Sequence, residues 1–284
     1  MTLKGIVIQI AILVASLALL AGLVLAPKNY SVAKVKEEKT KETKSEITQQ
    51  IAAVKKEMKP AELTAITGFE EKFEKASGTE KVVWLDSIIN FWDNNMRPAI
   101  AAVYAKDKAD LTGLQEDYML AGERFIGVGQ FLKPEDQAWA YNEAEAIFEQ
   151  ILKKEPDNAD AKINLGICKV QTNPDNPMEG IGLLREVVAK EPNNTKAILQ
   201  LGHFSVLSGQ YSKAIERYTQ ALEIDPNLTE AYFYLGDAYA KMGDMENAEK
   251  YLLIYRGLLE DEEVKQQLDI YLEDLKKMSN TKIN

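Results

Sequence analysis

The feature that most constrains this chain is repetition. Pro156, Pro192 and Pro226 close three similar segments, KKEPDN, AKEPNN and EIDPNL, at intervals of 36 and 34 residues. A Leu-Gly pair recurs at the same intervals, as Leu165-Gly166, Leu201-Gly202 and Leu235-Gly236. Gly209 and Gly243 fall where turns are expected, and Ala144, Ala214 and Ala248 share one equivalent position that Gly180 fills in the unit between. A fixed period of this length marks stacked supersecondary units, none of which can bury its apolar face alone.

Each feature has a mechanical reason. The small residue after Leu in a first helix, and the Ala or Gly early in a second, are expected where two helices of a hairpin cross closely. A large side chain there forces them apart. The turn glycine ends the first helix, and the proline stops the second. Phe148, Leu184, Tyr218 and Leu252, four positions after the small ones, are expected to fill the gap between neighbouring hairpins.

Together these residues resemble the tetratricopeptide repeat (TPR) family. Segments 195–228 and 229–262 look like ordinary members, and 159–194 matches with two extra residues in its turn, around Asn173 to Pro177. The unit ending near Asn158 matches in its second helix. Its first helix, near Tyr118 to Phe131, is followed by an insertion of about ten residues. Residues 80–109 are a candidate degenerate repeat with Ser87 and Ala99 at the small positions. Beyond Asp261, the pattern Val264, Leu268, Tyr271, Leu272, Leu275, Met278 marks one more amphipathic helix, the polar-backed cap that an exposed repeat end requires.

A second constraint lies at the other end. Ile6 to Ala26 is an apolar run of 21 residues, interrupted only by Gln9, Ser16 and small residues. At about 1.5 Å per residue such a helix spans the roughly 30 Å hydrocarbon core. The rival reading is a cleaved signal peptide with Lys4 as its positive region, but an apolar signal core is usually only about 7–15 residues. A lysine count favours a cytoplasmic body, because Lys28, Lys34, Lys36, Lys39 and Lys41 outnumber Lys4. Short N-terminal anchors of this shape commonly leave their N-terminus inside. The expectation is therefore a single-pass protein of the inner (cytoplasmic) membrane, of bacterial type, with a periplasmic body; a cytoplasmic body is the alternative.

Between these two features the organisation is helical. Residues 29–46 alternate Lys and Glu and read as a solvated tether. Residues 47–111 repeat apolar side chains at helical spacing, with Pro60, Gly78 and Pro98 as punctuation. Trp84, Leu85, Ile88, Phe91 and Trp92 form an aromatic stripe expected to pack on a neighbouring helix, with the following helix as a candidate partner. The expected organisation is an anchor at 1–28, a tether at 29–46, a helical region at 47–111, a TPR array at 112–262, and a capping helix with tail at 263–284. The fold class is all-α: an α-solenoid of TPR hairpins preceded by a single transmembrane helix and a helical N-terminal region.

Composition narrows the function. A formal charge of −10 repels nucleic acid phosphates. Cys168 and His203 are each the sole residue of their type, which leaves nucleophilic triads and multi-histidine metal sites with few members. The expectations are no catalysis, no cofactor, no metal and no small-molecule substrate.

The TPR resemblance implies a right-handed superhelix whose first helices line a concave groove holding an extended peptide or a helix. The positions that face the groove in the family are Asp160, Ile163, Ile167 and Val170, then Lys196, Leu199, His203 and Val206, then Glu230, Phe233, Asp237 and Ala240. The Lys and Asn pair by which some family members grip a C-terminal carboxylate is absent from these positions. An apolar floor with Asp and Glu beside it suits a segment carrying apolar anchors and Lys or Arg. The groove is either open or covered by the N-terminal helices of the same chain. Two functional readings follow: a membrane-anchored interaction scaffold, or an assembly or maturation factor for a membrane or exported complex.

Overall fold

The computed structural model describes residues 48–281, and all regular structure among them is helical. The apolar run Ile6–Ala26 and the tether at 29–46 lie outside the described residues. Among the described residues no helix is long and apolar enough to cross a membrane. The chain divides into two compact units, with the boundary between Thr67 and Gly68. The first contains α1 (48–57) and the start of α2 (Pro60–Lys75), which opens with proline as expected of a first helical turn.

The second unit is a row of helical hairpins. α3 (Thr79–Asn94) pairs with α4 (Pro98–Thr112), α5 (Gln115–Phe131) with α6 (Pro134–Lys154), and α7 (Ala159–Thr172) with α8 (Met178–Lys190). α9 (Thr195–Leu207) pairs with α10 (Tyr211–Ile224), and α11 (Thr229–Met242) with α12 (Met245–Leu258). α13 (Glu262–Thr281) then packs on α12, where Arg256 grips Asp269 through two hydrogen bonds of 2.6 and 2.8 Å and Lys276 meets Glu249 at 2.8 Å. The result is an all-α, TPR-like helical solenoid.

Local chemistry sets the joints. Each repeat proline follows a second helix that has just ended, at Lys154, Lys190 and Ile224. At the first two junctions an asparagine then opens the next helix: Asn158 accepts from Ala161 N–H at 2.9 Å and Asn194 from Ala197 N–H at 3.0 Å. Leu228 holds that place in the third junction and supplies no side-chain cap. Gly209 and Gly243 sit at φ +72° and +94°, a backbone region that suits glycine and lets the chain reverse into the second helix.

The crossing of the two helices is keyed by glycine. A β-carbon built on Gly122 would lie 2.5 Å from the Phe148 ring, and one on Gly236 would lie 2.7 Å from Leu252. On Gly166 and Gly202 it would run into Leu184 and Tyr218. The large residues therefore do more than fill the gap to the next hairpin. Each lies over a glycine of its own hairpin, and Leu184 also meets Leu201 and Phe204 while Leu252 meets Leu268, Leu272 and Leu275. Gly180 abuts the carbonyl of Gly166, so α7 and α8 touch backbone to backbone where other hairpins carry alanine.

The insertion of about ten residues after Phe131 is helical, with only Leu132 and Lys133 separating α5 from α6. The extra residues extend α6 to 21 residues, and its added turns pack back on α5: Trp139 meets Phe125 edge-on at 5.5 Å, and Tyr141 lies over Gly129. The aromatic stripe of α3 also divides. Leu85, Ile88 and Trp92 are buried, while Trp84 stacks at 6.2 Å and Phe91 sits edge-on at 6.3 Å against Phe69 of the preceding helix.

Candidate functional site

The first helices α5, α7, α9 and α11, with the closing helix α13, touch one another directly through their side chains. Asn164 donates to Glu123 at 3.2 Å, joining α7 to α5. Lys196 on α9 donates to Asp160 on α7 at 2.8 Å and lies 3.6 Å from Glu123 on α5. The His203 ring stands edge-on to Tyr234 at 4.2 Å, joining α9 to α11, and the Tyr271 hydroxyl donates to Asp237 at 2.9 Å, joining α13 to α11. These contacts form a ladder from α5 to α13 along the row of hairpins.

The twelve residues expected on this face do not lie at one depth. Asp160, Lys196 and Glu230 are exposed. Ile167, Val170, His203, Val206, Phe233, Asp237 and Ala240 are half-buried. Ile163 is fully buried with Val187 and Ala197, and Leu199 is buried with Tyr218 and Leu235. These two are corrections: they support the face from beneath and present no side chain to a ligand. The physical reason is register, since the residue at that position tilts toward the following hairpin and is closed over by it. Phe233 is partly covered in the same way, by Tyr255 at 5.3 Å and Tyr271 at 6.5 Å.

Carboxylates of this face already hold cations of the same chain. Asp160 and Glu123 flank Lys196, and Asp237 takes Lys241 at 2.5 Å as well as Tyr271. Burial, together with the charge of Asp237, pushes the Tyr271 phenol above its ordinary value. Burial moves His203 the other way, below its ordinary 6.5, so its imidazole is neutral at pH 7; its Nε2 is buried with no hydrogen-bond partner. Cys168 is fully buried, and burial with Glu145 nearby raises its thiol pKa, which keeps it unreactive.

Glu123, Asn164 and Tyr234 also belong to this face, although sequence reasoning passed over them. The signal for Glu123 was present: Gly122 is the equivalent of Gly166 and fixes the register of α5. Asn164 and Tyr234 lie one position before the expected core leucines, and only the touching of adjacent first helices brings them inward.

Comparison with known proteins identifies the repeats. Residues 205–243 match the model described as TPR repeat, and residues 137–173 match that described as tetratricopeptide repeat. Each match covers the second helix of one hairpin and the first helix of the next. Anaphase-promoting complex subunit 3 of Dictyostelium discoideum is 33% identical over 79 residues, covering 28% of this chain and 8% of that protein. Lipopolysaccharide assembly protein B of Haemophilus influenzae is 23% identical over 137 residues, covering 47% of this chain and 35% of that protein. The chain thus spans well under half the length of these curated relatives. A thermophilic TPR protein of Thermus thermophilus superposes with a TM-score of 0.52 at 16% identity, over 66% of this chain and 95% of that one, and so shares the fold. With its glycine-keyed hairpins, its family-model matches and this structural likeness, the chain is an α-solenoid that carries tetratricopeptide repeats.

Proposed function

We propose that the chain is a protein–protein interaction scaffold that binds partner proteins or peptides on the shared face of its first helices and performs no chemistry of its own. The observation that carries this reading is the layered face itself. Asp160, Lys196 and Glu230 stand exposed around half-buried Ile167, Val170, His203, Val206, Phe233, Asp237 and Ala240, with Ile163 and Leu199 as support. The half-buried apolar side chains suit a peptide or helix that carries apolar anchors, with exposed Glu230 beside them for a Lys or Arg. The run Ile6–Ala26 supports an anchor at 1–28 in the inner membrane with a tether at 29–46, so that partners are gathered at the membrane, with a periplasmic body as the first choice and a cytoplasmic one as the second.

The test is photocrosslinking in native membranes. A crosslinking residue placed at Lys196 or Glu230 is expected to capture a partner that the same residue at Ser212, outside the first helices, does not. Equal capture at all three positions, or capture unaffected by Val206→Asp, sinks the reading. The second reading, an assembly or maturation factor, draws on the partial likeness to lipopolysaccharide assembly protein B. Deletion of the gene is then expected to remove one envelope complex while leaving the others intact.

A further inference from the structure

The contact between α9 and α11 differs from the others along the first helices. His203 on α9 lies 4.2 Å from the Tyr234 ring of α11 and 5.8 Å from the Tyr218 ring of α10, and the two tyrosine rings are 5.6 Å apart, so three helices each place a ring against the other two. Glu230 stands one turn before Tyr234 on α11. Burial, with the charge of Glu230, pushes the Tyr234 phenol above its ordinary value. The places of His203, Glu230 and Tyr234 are held by Ile167, Lys196 and Gln200 where α7 meets α9, and by Glu123, Asp160 and Asn164 where α5 meets α7. Imidazole, carboxylate and phenol come together in only one of these three contacts.

Their hydrogen-bonding capacity is not used up inside the chain. Asp160 and Glu123 hold Lys196, and Asp237 holds Lys241, whereas Glu230 is exposed and forms no ion pair among the described residues. Nε2 of His203 is buried without a hydrogen-bond partner, and the hydroxyl of Tyr218, a side chain only 1% exposed, has none among the described residues either. Buried polar groups normally pair, so these orphans call for a reason. A neutral imidazole donates from one nitrogen and accepts at the other. A donor arriving at Nδ1 leaves the proton on Nε2, beside two aromatic rings that receive an N–H better than a lone pair. A visitor therefore meets acceptors, one of them charged: the Glu230 carboxylate, the Tyr234 hydroxyl oxygen and the His203 Nδ1.

We propose that the partner segment presents an arginine at this place, its guanidinium lying at Tyr234 between Glu230 and His203; this rests on the partner-binding reading above. The Glu230 carboxylate accepts two N–H groups from one edge of the guanidinium, and His203 Nδ1 accepts one from another. The adjoining rings add cation–π attraction. A lysine ammonium is a compact point charge that satisfies Glu230 without the planar fork needed to engage the second helix as well. Apolar neighbours of the arginine then rest on half-buried Val206 and Phe233.

His203 is the sole histidine, so its imidazole nitrogens give a single, unambiguous set of NMR signals from the full chain. The probes are three end-blocked peptides, leucine-arginine-leucine-leucine and its versions with lysine or uncharged citrulline in place of arginine. The arginine peptide is expected to move the Nδ1 signal to a hydrogen-bonded position and to bind about tenfold more tightly than the citrulline one, with lysine between them. Glu230→Gln is expected to remove that preference, while Glu223→Gln, on the second helix α10, keeps it; circular dichroism confirms that both variants are folded. Equal binding of the three peptides that Val206→Asp still weakens overturns the arginine proposal and leaves the partner-binding face standing. An arginine peptide that does not bind, an unmoved His203 signal, or a preference that survives Glu230→Gln overturns it as well.

Discussion

The hairpins α3/α4 and α9/α10 nest their helices with the volumes exchanged. In α9/α10 the hollow is on the first helix, at Gly202, and the bulk is Tyr218 on the second. In α3/α4 most of the bulk is on the first helix, as Leu85, Ile88, Ile89 and Trp92, and α4 buries Ala101, Ala102, Ala105 and Ala109 with Ile100 as its one large buried side chain. Close packing constrains the summed volume at a crossing and is indifferent to which helix carries the large side chain. A hairpin can therefore join the row without displaying the repeat pattern, which explains why residues 80–109 matched it so weakly.

Emptying or overfilling either crossing tests this equivalence of volumes. Tyr218→Ala and Trp92→Ala are expected to cost about 3–5 kcal/mol each in urea unfolding, because both empty a filled crossing; a much smaller loss in one of them means that its hairpin is held by something else. Overfilling the hollows, by Gly202→Ala or Ala102→Leu, is expected to cost about 1–3 kcal/mol. The pair Gly202→Ala with Tyr218→Leu sharpens the point: if volume is exchanged across the crossing, the double variant loses less than the sum of its singles.

Smaller effects probe the joints. Asn194→Ala is expected to cost about 1 kcal/mol, read as a lowered unfolding midpoint, while Leu228→Ala leaves helix capping unchanged because no side chain caps that junction. The smallest is a pH effect at His203. Its folded-state pKa is depressed, so the unfolded chain binds the proton more readily; the stability it contributes is complete above about 6.5 and declines as pH falls through that value. Stability measured from pH 7.5 to 5 is expected to fall less steeply in His203→Phe.

Much of this arrangement was legible in the sequence. The glycines at 166, 202 and 236, the turn glycines and the three prolines each demand one backbone or steric environment, and the structure supplies it. What periodicity could not give was depth. Ile163 and Asp160 lie on the same face by spacing, yet one is sealed and the other exposed, because the next hairpin covers only part of that face. The lengthened α6 was missed for a related reason: its added turns are recognisable only once Trp139 and Tyr141 are seen to rest on Phe125 and Gly129.

Lys196 reaches from α9 to carboxylates on both α7 and α5, so one ammonium ties together three successive hairpins. Any cationic side chain arriving at Asp160 or Glu123 meets an incumbent. Binding there is a substitution of one lysine-like charge for another, with little electrostatic gain, and selectivity must come from whatever the newcomer brings besides its charge. Lys196 thereby sets a threshold that bare polycations do not cross.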